Sequence, residues 1–326
     1  MTETMAADDV ANIEEARPVD AAGVLEQLQA AAGDRGYHRV LDADHTATLV
    51  SRGATLMVSF EEVEVTLKRE SGLPVALDLA EDKNWSVLHI TAARPTWFRS
   101  NAVFAFFDDL ADDVFFDEYD RVIFYGAEAG GYAAAAYSVT APGARVVALA
   151  PQATMETRIA GWDTRFPSAR RIAFGGRYAY APEMIEAAEE VMVLFDPQQP
   201  MDAMHATLFR NANVTLIPMP YMADPEGGSL ALVLERMDLL HPLIDGLGSG
   251  EMSRADAHKA LRKRHGDLVW LRRLIVRLVA QDRQRLIALA CKASLKRGGG
   301  PMFRKRLNAA IQAMDARGEY PDWLDD

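Results

Sequence analysis

At 326 residues, with 49% hydrophobic and 25% charged side chains, the chain can bury a large core and has the composition of an ordinary globular protein. Its single cysteine, Cys291, excludes an internal disulfide framework, and with no Cys-x-x-Cys pair a structural zinc site is not expected. No apolar run reaches the roughly 20 residues of a membrane span, and the N-terminus lacks a basic segment followed by an apolar one, so a cytoplasmic location is expected.

The net charge of −12 is unevenly spread: residues 251–326 carry 17 Lys/Arg against 9 Asp/Glu, and the preceding 250 carry 18 against 38. The acidic body disfavours nucleic acid as its partner, while the basic end can meet phosphate, an anionic surface or the body itself.

Residues 1–20 are acidic and Ala-rich and have the composition of a flexible leader. A helix is expected from Asp20, with Val24, Leu25 and Leu28 on one face. Residues 46–50 and 54–60, separated by Ser51-Arg52-Gly53, predict a hairpin at a sheet edge. There follow a helix over 75–81, a strand over 85–91, a helix over 101–114 and a strand over 121–125. After a glycine-rich turn come a helix over 131–139 and a strand over 146–149. An insertion over 151–180 interrupts the alternation. Helices over 182–190, 200–209 and 230–237 and strands over 191–195 and 214–217 restore it, giving about six parallel strands covered on both faces. The Gly-rich segment 245–250 has the composition of a linker. It would separate a main domain over 21–245 from a basic helical appendage over 251–326, with helices at 253–265, 267–280 and 283–296 and a last one to Ala316. In that appendage Ala288, Leu289 and Ala293 are expected on a close-packing face, and the helix with Trp270, Leu271, Leu274, Ile275 and Leu278 on one side is expected to pack that side inward.

The segment 122–131 has the form strand, Gly126-Ala127-Glu128-Ala129-Gly130-Gly131, then a helix of small residues. This resembles the nucleophile elbow of the α/β-hydrolase superfamily, where small residues two before and two after the central one let strand and helix approach closely. The resemblance covers residues 54–237 in element order. It implies an α/β-hydrolase-like fold: a mostly parallel sheet with an N-terminal hairpin, helices on both faces and a C-terminal helical addition. It also implies that the residue at 128 projects into a crevice toward which the amide of Ala129 points.

At that position the chain carries Glu128, so the attacking hydroxyl is absent. The family's acid follows a late strand, where Asp196 stands; the loop 218–229, where its histidine belongs, contains none. Two of the three triad roles are therefore unfilled. A narrower resemblance, through Phe124-Tyr125-Gly126, Ala150-Pro151-Gln152-Ala153-Thr154, Ala160-Gly161-Trp162-Asp163 and Asp202-Ala203-Met204-His205, is to a group of alphaproteobacterial proteins. Some of these are labelled phosphoadenosine phosphosulfate reductase, which implies a redox-active cysteine. The residues do not support that label, because a Ser-Gly-Gly-x-Asp-Ser phosphate loop is missing and Cys291 lies in a basic helix at the far end of the chain.

The candidate catalytic residues are Glu128, as carboxylate nucleophile, general base or mere helix cap, and Asp196, as acid or mere turn former. The candidate binding residues are Gly126, Ala129 and Gly130 of the turn, Phe60 at the end of its strand, Trp97 with Arg99 at the rim, and Trp162, Asp163 and Arg165 in the insertion, where an aromatic and a charge pair could grip a sugar-like ligand or simply anchor the cap. His205 is expected half buried on its helix and His89 in the core. No metal is expected, and no cofactor: there is no Gly-x-x-x-x-Gly-Lys-Ser/Thr, and Glu128 occupies the second glycine position of a dinucleotide fingerprint. Three readings remain open. One is a catalytically degenerate hydrolase-fold protein binding a small molecule or protein partner, with cell-surface polysaccharide as a context from the resemblance. Another is a non-serine hydrolase or acyltransferase using Glu128. The last is a scaffold docking through its basic C-terminal helices.

Overall fold

The computed structural model describes residues 20–223 and 228–319; the leader expected over 1–20 lies outside them except for Asp20. That aspartate accepts the amide of Gly23 at 2.8 Å and caps α1 (Ala21–Ala32), whose buried face carries Val24 and Leu28.

Eight strands form one sheet in the order β1-β2-β4-β3-β5-β6-β7-β8. These are β1 (Tyr37–Val40), β2 (His45–Val50), β3 (Thr55–Glu62), β4 (Ser86–Ala92), β5 (Arg121–Ala127), β6 (Arg145–Leu149), β7 (Glu190–Phe195) and β8 (Val214–Pro218). The six strands from β3 to β8 are parallel, and β2 runs antiparallel to β4.

The expected hairpin is corrected here: β2 and β3 are not partners, because β4 lies between them and pairs with both. The sequence carries the reason. Both runs are apolar on consecutive positions, and both strands are buried almost throughout, as strands covered on two faces must be. The hairpin that exists joins β2 to the short edge strand β1, whose half-exposed Tyr-His-Arg-Val gave no apolar pattern.

Two apolar layers cover the sheet, one including Val58, Phe60, Val103, Phe107 and Phe124, the other including Met57, Val87, Ile123, Val147 and Met192. After the one-turn α2 (Val63–Thr66), α3 (Val75–Lys83) and α4 (Asn101–Asp112) match the expected helices, and a second single turn, α6 (Thr157–Ala160), lies in the insertion. The helix expected over 182–190 is only one turn, α7 (Ala181–Met184), because the side-chain amide of Asn213 takes the carbonyls of Ile185 and Ala188, both at 2.8 Å, and the chain turns into β7. The supposed linker is also corrected. Residues 245–249 belong to α10 (Leu240–Ser249), and a Cβ on Gly248 would lie 2.9 Å from Ile123, so glycine there lets a helix lie on the sheet.

The C-terminal helices are α11 (Arg254–Ala260), α12 (Leu268–Ala280), α13 (Gln284–Leu295) and α14 (Pro301–Asp315). As expected, α12 buries Trp270, Leu271, Ile275 and Leu278. On α13 the buried residues are Ile287, Ala288, Cys291 and Ser294; Leu289, expected to be packed, is 43% exposed. These helices join the same apolar layer as Ile123 and Met192. No helix among the described residues is long and apolar enough to cross a membrane.

Candidate functional site

The turn between β5 and α5 (Ala129–Tyr137) puts Glu128 at φ 50, ψ −114, a backbone conformation that a side chain adopts only when its surroundings enforce it. Close approach enforces it. A Cβ on Gly126 would sit 2.1 Å from the carbonyl oxygen of Gly130, and one on Gly130 would sit 2.2 Å from that of Phe60. Helix α5 is thus seated directly on β5 and β3, with Tyr132 and four consecutive alanines wholly buried.

Above the C-terminal ends of β3, β5 and β6 lies a cavity of about 560 Å³. Phe60, Trp97 and Phe166 form its aromatic wall; Glu62, Lys68, Gln152, Arg165 and Asp202 supply polar groups; Glu128, Ala129 and Gly130 come from the turn, and Ser229 and Leu230 from the segment after β8.

The Glu128 carboxylate is held at both oxygens. Ser229 donates its hydroxyl to Oε2 at 2.9 Å, and Leu230 donates its amide to Oε1 at 3.0 Å. Ser229 Oγ in turn accepts the amide of Ala231 at 3.2 Å as the cap of α9 (Leu230–Arg236). Glu128 therefore does cap a helix, but α9 and not the helix that follows it. Burial pushes its carboxyl up to about 7, against the pull of those two donors, and the negative charges of Asp202 and Glu62 add to the rise. Burial, with repulsion from Glu64, likewise pushes Glu62 up to about 7.

The other sequence candidates are distributed differently. Asp196 is fully buried and accepts the amides of Gln198, Tyr221 and Ala223 at 2.9–3.0 Å; it ties the loop after β8 to the end of β7 and does not line the cavity. Trp97, expected at the rim, is only 2% exposed, and its indole donates to Gln152 at 3.1 Å. Arg99 is not a ligand-facing cation either. It donates to the carbonyls of Ala173, Gly175, Arg177 and Tyr178 and to the hydroxyl of Tyr132, stapling the insertion to the body.

In the insertion, Trp162 donates to the carbonyl of Ile159 at 2.9 Å and stands against the ring of His205, outside the cavity. Asp163 is buried behind it, and Arg165 alone of the three reaches the cavity, its charge shared between Asp163 at 2.8 Å and Asp202 at 2.6 Å. His205 is not half buried but wholly so. Its Nδ1 accepts the amide of Ala153 at 3.1 Å, which leaves the proton on Nε2 to be donated to Asp163, also at 3.1 Å. With both nitrogens committed, the ring is a strut between α8 (Pro200–Leu208) and the insertion. His89 lies in the core as expected, bonded to Ser59 at 2.8 Å and pushed down to about 3 by burial.

The sequence reading missed Ser229, Glu62, Gln152 and Asp202. Gln152 and Asp202 stand in the blocks of the narrower resemblance without a role of their own there, and Ser229 left a signal as a serine immediately before an apolar helix. Cys291 is buried in α13, does not line the cavity, and burial pushes its thiol up to about 11.

The strand order, the antiparallel β2 and the strained turn between β5 and α5 define this chain as an α/β-hydrolase fold. No family model matches the chain, and no curated protein matches it in sequence. Among solved structures, an esterase of Pyrobaculum calidifontis is 13% identical over 72% of this chain and 94% of its own, with a TM-score of 0.43. Carboxyl esterase 2 of the fungus Tuber melanosporum is 13% identical over 69% and 88%, with a TM-score of 0.44. The capsule O-acetyltransferase of Neisseria meningitidis serogroup A, as a mutant in complex with CoA, is 13% identical over 67% and 99%, with a TM-score of 0.40.

Proposed function

We propose that this chain has lost the serine–histidine catalysis of its fold at the elbow and uses the cavity to bind a small molecule. The observation that carries this reading is the state of Glu128: a carboxylate engaged by Ser229 and Leu230 stands where the attacking hydroxyl would stand. No imidazole lines the cavity among the described residues. An aromatic wall facing a few polar groups suits a ligand with one apolar and one polar end. The narrower sequence resemblance suggests cell-surface polysaccharide as the setting, whereas sulfate reduction finds no accessible thiol near the cavity.

The test is a thermal-shift screen of small molecules on the wild type and on Gln199→Trp, a substitution that fills the cavity from its partly exposed edge. A ligand of this site raises the wild-type Tm and loses that effect in the variant. Shifts that survive the substitution, or a screen without shifts, reject the reading.

A second reading, an acyl hydrolase or acyltransferase working through Glu128, is favoured by the position of that carboxyl near 7, where it can take up and return a proton at neutral pH. Turnover in an ester and thioester panel, abolished by Glu128→Gln, would replace the first reading with this one.

A further inference from the structure

We propose that Ser229 is the nucleophile of this chain, with Glu128 as its general base, for transfer of an acyl group from a small ester or thioester held in the cavity. This rests on the second reading above and supplies the hydroxyl that reading lacks.

The two side chains meet in the sense that proton transfer requires. Ser229 Oγ donates to Glu128 Oε2 at 2.9 Å, and the amide of Ala231, at 3.2 Å, occupies one lone pair of the same oxygen, which leaves the second lone pair for attack. The base is oriented in its turn by the amide of Leu230, at 3.0 Å on its other oxygen. Nucleophile, base and a group that fixes the base are thus all present, without an imidazole. Both residues line the cavity. Compared with the arrangement that the family resemblance implies, the two positions exchange duties: the turn after β5 brings the base, and the segment after β8 brings the hydroxyl.

The chemistry balances with water alone. Ser229 Oγ bonds to the acyl carbon while its proton passes to Glu128. The amide of Ala129, which opens α5 into the same cavity and has no acceptor within its helix, receives the negative carbonyl oxygen. The bond to the leaving alcohol or thiol breaks, and Glu128 returns the proton to it. Water, deprotonated by Glu128, then attacks the acyl-serine, releasing the acid and restoring the hydroxyl; an acceptor alcohol in place of water gives transfer. The wall of Phe60, Trp97 and Phe166 and the volume of about 560 Å³ fit acyl or alcohol parts the size of one aromatic ring.

The full chain is incubated with p-nitrophenyl acetate, and release of nitrophenol is followed with mass analysis of the acylated peptide. The expected results are an acetyl group on Ser229, no acylation and no turnover in Ser229→Ala, and a loss of about 10²–10⁴-fold in Glu128→Gln. The wild-type rate should rise with pH through about 7, the range in which Glu128 ionises, and that rise should be absent from Glu128→Gln. Ser229→Cys, which keeps a nucleophile at the same place, should still be acylated, separating loss of chemistry from loss of the α9 cap. Turnover that survives Ser229→Ala but not Glu128→Gln overturns the assignment of Ser229 and keeps the carboxylate reading. Absence of turnover, or turnover indifferent to both substitutions, overturns both.

Discussion

Gly130 stands so close to Phe60 that a methyl group on its Cα would lie 2.2 Å from the Phe60 carbonyl oxygen. Both partners are anchored, one by the turn into α5 and the other by the parallel ladder of β3, so neither can yield by a side-chain rotation. Gly130→Ala should therefore push α5 off the sheet and destabilise the fold by about 1–3 kcal/mol. The urea midpoint should fall at an unchanged slope, and cavity binding should weaken with it, since the cavity floor is the same turn. An unaltered midpoint would mean that α5 does not sit where the contact puts it.

Asp163 ties the insertion to α8 through the ring of His205. Burial alone would raise its carboxyl, but the hydrogen bonds from His205 and Arg165 outweigh burial and hold it well below the usual carboxylate range. A depressed folded value contributes stability that is present above the unfolded value of about 4 and lost as the pH falls through the folded one. Asp163→Asn keeps an acceptor for His205 but gives up the charge, and should cost about 2 kcal/mol at neutral pH. Denaturation from pH 7 downward should show this difference shrinking below about pH 4. A difference constant over that range would remove the ionic component.

Much of the architecture was legible because it rests on local signals. The strands from β5 onward are short apolar runs, and Gly126 and Gly130 mark the strand-to-helix turn by spacing alone. The pairing of β2 with β4 was not legible, because a three-residue turn signal says where the chain reverses and nothing about which strand inserts. The same limit explains segment 245–250. Composition cannot distinguish glycine that frees a linker from glycine that lets α10 press on Ile123. At the site, the sequence placed Glu128 at the turn but could not pair it with Ser229, which is 101 positions away and meets Glu128 only because the segment after β8 lines the same cavity. Trp97, Arg99 and Trp162 have the composition of a ligand rim, yet their polar atoms are consumed by the protein itself.

The carboxyls of Glu62 and Glu128 are both raised, which makes stability fall with pH. A raised folded value contributes stability that is full below the unfolded value of about 4.5 and is lost as the pH rises through about 7. Glu62→Gln removes one group that must ionise in that range. The variant should match the wild type near pH 4 and exceed it in Tm at pH 8, as scanning calorimetry at the two values would show. A variant less stable at pH 8 would indicate that the ionised Glu62 finds a cation in the folded chain.

The basic C-terminal helices invite removal as a unit, and the packing opposes it. Leu261, Trp270, Leu271, Ile275, Ile287 and Phe303 are at most 5% exposed and belong to the apolar layer that covers Ile123 and Met192. Lys263 and Asp267 are also bridged to Asp238 and Arg236 of the body, at 3.0 and 3.9 Å. Each large apolar side chain withdrawn from that layer forfeits about 1.5–3 kcal/mol, and a few of them equal the whole stability of a typical domain. A chain ending at residue 250 should therefore lose its cooperative urea transition and bind a hydrophobic dye, so that loss of a partner on truncation would reflect unfolding. If the shortened chain instead unfolds in one sharp transition, the helices are a separable unit, and a docking role for their arginine-rich surface regains its basis.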